Sequence, residues 1–209
     1  MCSPVFCEMH KTRYSVLSNI AMQIFDKLGI KSDSINLKLY PWARGYHKVL
    51  NETGTALFST TYTQERLQGM KFLGPIAPNV IAVTARKSRQ LKIESVEDLN
   101  QLQISVVRDD IGEQLLVGQG VKPEAIDSLN SGLSMVKKLA SGRVDAVAYT
   151  FVTTLNLFER AKINPDDFEI IYVLKRSSMG YAFHKDNDER ITEHRRKTAT
   201  ITHMTLPTT

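Results

Sequence analysis

A single arginine, Arg66, follows a cluster of small hydroxylated residues, Ser59, Thr60, Thr61 and Thr63, in the stretch TALFSTTYTQERLQGMKFLGPI from Thr55 to Ile76. A guanidinium makes two parallel hydrogen bonds to a carboxylate where an ammonium makes a point contact. Hydroxyls and backbone N–H groups at a strand end add further donors, so the chemistry implied is reception of a small anion, a carboxylate above all. The same residues fit a plainer reading, in which Thr63 caps a short helix and Arg66 lies solvated on its surface. A second corner of this kind follows Ile104–Val107, where Arg108-Asp109-Asp110-Ile111-Gly112-Glu113 turns from an apolar run into a helix. Free N–H groups at that helix start would bind an anion with help from Arg108; alternatively Arg108 pairs with Asp109 or Asp110 in solvent.

Two more positions belong to this set. Trp42, the only tryptophan, directly follows Pro41. It is either a core residue, since an indole buries a large apolar area, or an apolar wall for a ligand, while Arg44 beside it reads equally well as a helix-surface charge. Thr150 ends the apolar run from Val144 to Tyr149 and faces the same edge as Arg108.

Other chemistries find little support. No serine sits in a G-x-S-x-G turn, no Cys–His pairing is suggested, and no two carboxylates are placed together for acid–base work. Glycine-rich phosphate loops are absent. The five histidines are scattered, which argues against a metal, and no cofactor is expected. Cys2 and Cys7, near the start of the chain, could pair across a small loop but read better as free thiols. The net charge of +5 is spread along the sequence without a zinc, helix-turn-helix or RNP-like pattern, so nucleic acid is not an expected partner.

The elements that must position these residues alternate between helix and strand. Thr12 to Leu28 carries an amphipathic helical stripe that stops at Gly29. Ile35 to Leu39 reads as a strand, Trp42 to about Asn51 as a helix, and Thr55 to Ser59 as the next strand. Phe72–Ile76 and Val80–Thr84 read as two strands around a turn at Ala77-Pro78-Asn79. After the polar connector 86–90, Ser95 caps a helix. Ile104–Val107, a segment near Ile126, Val144–Tyr149 and Ile170–Leu174 are strands, separated by helices over Ile111–Val117, Leu133–Ala140 and Val152–Ala161. Such alternation implies α/β lobes with parallel sheets, whose ligands bind beyond the carboxyl ends of the strands. The connectors near 85–90 and 174–178 make the middle an inserted lobe, 86–177, with 1–85 and 178–209 forming the other, and place a cleft between them. At 209 residues the chain is long enough for two lobes. No apolar run approaches the roughly 18 residues of a membrane span.

Leu39-Tyr40-Pro41-Trp42-Ala43-Arg44, Thr61-Tyr62-Thr63-Gln64-Glu65-Arg66, Phe72-Leu73-Gly74-Pro75-Ile76, Val96-Glu97-Asp98-Leu99 and Gly142-Arg143-Val144-Asp145-Ala146 occur in that order. From about Tyr14 to about Lys185 the chain thereby resembles the extracellular solute-binding proteins of ABC-type importers, in the polar amino-acid class. The resemblance implies a type II periplasmic-binding fold of two α/β lobes and two hinge crossings, closing on a ligand. It implies that Arg66 binds the ligand's carboxylate, with contacts from Ser59 and Thr61. On the second lobe it assigns contacts to Arg108, Gly112 and Thr150, with Trp42 as the aromatic wall. It implies a monomeric, non-enzymatic binder in the periplasm that serves importer membrane subunits.

Departures accompany the likeness. Where the family places an acid after the G-R-x-D-A strand to hold the ligand's ammonium, this chain has the neutral Thr150, which widens the ligand class from amino acids to related organic acids. No signal peptide is visible, and residues 1–13 supply no clear first strand. Asp188 to Thr209 lacks the family's aliphatic closing helix. A truncated or frame-shifted family member is the expectation, with residues 1–85 less protected from hydrogen exchange than 91–173 because a central strand is missing. Two alternatives stand beside the binder: a dehydratase-like enzyme acting on a cyclic carboxylate, and a ligand-sensing domain.

Overall fold

The structure is a computed structural model, and it describes residues 5–7, 36–38 and 40–187. The helix expected over Thr12–Leu28 and the tail beyond 187 lie outside these residues. The chain divides into two compact units, one of residues 1–39, 47–76 and 179–209, the other of residues 40–46 and 77–178. The first crossing thus falls at Ile76–Ala77, earlier than the polar connector suggested, and Tyr40–Tyr46 joins the second unit. The reason is local: the basic segment after Ala85 is only the end of a strand and a single 3-10 turn, Lys87–Arg89.

In the first unit, β1 (Val5–Cys7) lies between β2 (Asn36–Lys38) and β3 (Thr55–Thr61), parallel to both. The first strand judged missing from the sequence is therefore present. Three residues, Val5-Phe6-Cys7, are too short for a periodicity to register, yet they fill the ladder between two neighbours. The expectation of weak protection across 1–85 loses its premise. On its other side β3 pairs antiparallel with β8 (Phe168–His184), and β8 in turn lies beside β4 (Met70–Arg86). Phe58 meets Tyr181 edge-on at 5.2 Å, which links β3 to β8 by an aromatic cross-strand pair.

Both β4 and β8 are longer than the sequence suggested. The segment Ala77-Pro78-Asn79, read as a turn, stays extended within β4, and β8 continues through 175–184 instead of ending at Leu174. Proline fixes a φ that extended backbone accepts, so Pro75 and Pro78 interrupt hydrogen bonding without bending the chain back.

The second unit packs a mixed sheet of order β4-β7-β5-β6, where β5 is Ile104–Val107, β6 Ile126–Leu129 and β7 Ala146–Thr150. β5 runs parallel to β6 and β7, but β7 pairs antiparallel with β4, so the sheet is not wholly parallel as expected. Both faces are covered, which explains why every residue of β5 and β7 is buried. On one face Ile81, Val83, Ile104 and Val106 form a core with Ile111 and Leu116 of helix Ile111–Gly118. On the other, Val107, Val147, Met135 and Leu157 are buried, and Phe158 stacks on Phe168 at 4.3 Å. Each such large apolar side chain contributes roughly 1.5–3 kcal/mol by leaving water.

Three of the helices start at side-chain caps, Thr63, Ser95 and Ser131. The helices in chain order are α1 (Trp42–Asn51), α2 (Gln64–Leu67), α3 (Val96–Leu99), α4 (Ile111–Gly118), α5 (Gly132–Ala140) and α6 (Phe151–Ala161). Ser95 accepts from Asp98 N while the Asp98 carboxylate accepts from Ser95 N at 2.9 Å, a complete capping box. The N–H donors of Glu94 and Ser95 hold the Asp98 carboxyl below its ordinary value. Asp145, of the Gly142–Ala146 turn, accepts from Gln103 N at 3.0 Å and pairs with Arg89, which ties the start of β7 to the start of β5.

Asn187 closes the first unit. Its amide oxygen accepts from Gly54 N at 2.7 Å and its amide nitrogen donates to Thr55 O at 2.9 Å. Asn187→Ala leaves both backbone groups without this partner near a buried strand start, so it is expected to lower unfolding free energy by about 2 kcal/mol, measured by urea denaturation.

Candidate ligand-binding site

Arg66 is set by three successive local decisions. β3 ends at Thr61, Thr63 caps α2 by accepting from Arg66 N at 3.2 Å, and the one-turn helix returns the arginine side chain over the strand end. Its Nη1 donates to Thr61 O at 3.2 Å, and the residue is only 2% exposed. The capping role of Thr63 thus holds together with a buried guanidinium; Arg66 is not a solvated surface charge. Burial of a cation beside a strand end is costly, and a guanidinium in low dielectric attracts an anion far more strongly than one in water.

Ser59 has φ 55, in the left-handed region, and sits where the register of β3 against β8 shifts. Leu57 pairs with Ala182 and Thr60 with Gly180, so β3 takes one more residue than its partner. Such a bulge bends the strand and re-aims the side chains after it. The structure therefore gathers Ser59, Thr61 and Arg66 at one end of β3. Thr60 is fully buried and donates to Leu57 O at 3.3 Å, which places it in the bulge itself.

The second unit brings the other predicted residues together at the carboxyl ends of β5 and β7. Because these strands are parallel, α4 and α6 both begin at that edge. Gly112 lies in the first turn of α4 directly against β7: a Cβ there would overlap the Ala148 carbonyl and stand 2.8 Å from its carbon. The position thus has a packing requirement that spacing alone did not reveal. Arg108 is exposed, and among the described residues its guanidinium forms no ion pair, with Asp109 and Asp110 or otherwise. Asp110, N-cap of α4, is buried.

Trp42 is buried at 7% exposure, and its indole N–H donates to Asp109 O at 3.0 Å. It is packed, as the core reading has it, and it adjoins the Arg108–Gly112 corner. Tyr46 stacks on it with centroids 6.0 Å apart, while the exposed Arg44 lies 4.7 Å over the Tyr40 ring. Thr150 is the N-cap of α6; its hydroxyl accepts from Asn79 Nδ2 at 3.3 Å, and its carbonyl accepts from Thr154 at 3.1 Å. Asn79, 2% exposed, was missed because Ala-Pro-Asn looks like a turn. Asp110, which the sequence offered only as a partner for Arg108, stands at the N-cap of α4 without a side-chain capping bond. No group of three or more His, Cys, Asp or Glu able to hold a metal occurs among the described residues.

Compared by sequence, the chain matches no protein-family model and no curated protein. Compared by structure, it is similar to a histidine kinase sensor domain described as resembling periplasmic binding proteins, with TM-score 0.77 and 15% identity over 95% of this chain and 90% of that one. It is also similar to holo ArgBP from T. maritima, with TM-score 0.76 and 17% identity over 97% and 90% of the two chains. A third likeness is to the arginine-, lysine-, histidine-binding protein ArtJ from Geobacillus stearothermophilus, with TM-score 0.74 and 16% identity over 96% and 90%. The fold is α/β of the periplasmic-binding-protein kind.

The Gly112 contact separates packing from ligand binding at this position. Gly112→Ala forces α4 away from β7 and is expected to cost about 1–3 kcal/mol of stability, read by chemical denaturation of the ligand-free chain.

Proposed function

We propose that this chain binds a small carboxylate-bearing solute, an amino acid or a related organic acid, without transforming it. The observation that carries this reading is the buried Arg66, held over the end of β3 by its bond to Thr61 O. In this reading the guanidinium receives the carboxylate, with hydroxyl and backbone contacts from Ser59 and Thr61. The family resemblance assigns the remaining contacts to Arg108, Gly112, Trp42 and Thr150. The neutral Asn79–Thr150 pair holds an ammonium more weakly than a carboxylate does, which supports including acids that carry no α-amino group. The resemblance further supports a periplasmic monomer delivering its solute to the membrane subunits of an ABC importer. Two of the structural neighbours are named for binding arginine or basic amino acids.

A second reading is favoured by one observation: another neighbour is the sensor domain of a histidine kinase. There the same binding chemistry would report the solute to a signalling partner instead of feeding a transporter.

Titration calorimetry against a panel of amino acids and small carboxylates is the direct test. Arg66→Ala is expected to weaken the best ligand by about 2–4 kcal/mol, and Arg66→Lys, which keeps charge but loses the paired geometry, by about half as much. Unchanged affinity in a folded Arg66→Ala variant would move the site elsewhere.

A further inference from the structure

The turn between β5 and α4 is fixed at both ends and hinged in its middle. Its entry is held by Arg108 N donating to Leu129 O at 2.8 Å, and its exit by Asp110 N donating to Val107 O at 3.1 Å and by Gly112 pressed on Ala148. Between them Asp109 has φ 58, a left-handed conformation that disfavours a residue with a side chain. Three hydrogen bonds meet on this residue's backbone. Its N–H donates to Glu113 Oε2 at 2.5 Å, and its carbonyl accepts from Gln114 Nε2 at 2.9 Å and from Trp42 Nε1 at 3.0 Å. Glu113 and Gln114 belong to the helix that the turn opens, so they move with it. Trp42 is different: it comes from α1, distant in sequence, and is itself clamped by burial and by the Tyr46 ring.

We propose that Trp42 is a positioning residue: its indole N–H pins the Asp109 carbonyl and thereby fixes how the turn presents Arg108 and the first amides of α4. The proposal rests on the carboxylate-binding reading and adds to it a part for the indole nitrogen distinct from that of an apolar wall. A backbone joint held from outside its own helix keeps its conformation when the ligand is absent. Such preorganisation raises affinity by lowering the ordering cost of binding.

Trp42→Phe keeps an aromatic ring but removes the N–H donor together with part of the indole's volume. For a carboxylate that binds the unaltered chain, it is expected to weaken binding about 3- to 10-fold, as the loss of one hydrogen bond implies. In an Arg108→Ala background the same substitution should have a clearly smaller effect, because the two residues then act through one corner. Hydrogen exchange of the ligand-free chain should speed up at the amides of 109–112 and not across the rest of the second unit. Raised exchange with unchanged affinity refutes the proposal, since the corner then does not serve the ligand. Lower affinity with unchanged exchange also refutes it and makes Trp42 a direct contact. Failure of every carboxylate to bind the unaltered chain would refute the function proposed above, and exchange at 109–112 alone would then judge the role of Trp42.

Discussion

The parallel pairing of β5 with β7 is the constraint on which the second unit depends. Parallel neighbours put their carboxyl ends on one edge, and the helix after each strand must cross back over the sheet to cover it. Both α4 and α6 therefore begin at the same edge, with their unsatisfied N–H groups side by side. The fit is tight because Ala146 and Ala148 are small and Gly112 has no side chain, so the start of α4 rests on the β7 backbone. Everything else of chemical interest in this unit, from Arg108 to Thr150, is placed by that contact.

The first unit solves a related problem by different means. Its candidate arginine does not stand at the start of a long helix but on a single turn, and the strand before it carries a bulge at Ser59. A buried guanidinium needs an acceptor, and the carbonyl of Thr61, the last residue of β3, provides one. Arg66 is thus fixed in direction by its own neighbourhood. The second unit offers an exposed cation, Arg108, and a neutral amide–hydroxyl pair at Thr150. The two chemistries differ: a desolvated charge discriminates by geometry, whereas an exposed one adds mainly long-range attraction that salt screens.

Much of the fold was legible from patterning, and the failures share a cause. The helices α1, α4, α5 and α6 and the strands β5, β6 and β7 fall where apolar periodicity puts them, within a few residues. The sequence divides β4 and cuts β8 short because Pro78-Asn79 and Lys175–Ser178 carry turn and linker signals. Extended backbone accepts those residues when neighbouring strands hold it, which is a tertiary fact. The same holds for β1: three residues have no period, and only their pairing with β2 and β3 defines them as a strand. At the site, the residue types pointed to Arg66, Arg108, Gly112 and Trp42, but Asn79 was hidden because a lone amide has no spacing to read.

The amino-acid sequence by itself determined the α/β alternation, the capped helix starts and the presence of two cationic strand ends, because each follows from local propensity and hydrogen-bonding chemistry. It also determined that Thr150 is neutral where an acid was expected. Only the tertiary structure decided that Arg66 is buried and not solvated, that Gly112 is demanded by the Ala148 carbonyl, and that Trp42 reaches Asp109. Each of these depends on which distant backbone a side chain meets, and that is settled by strand register and helix packing, which pattern in a single sequence does not encode.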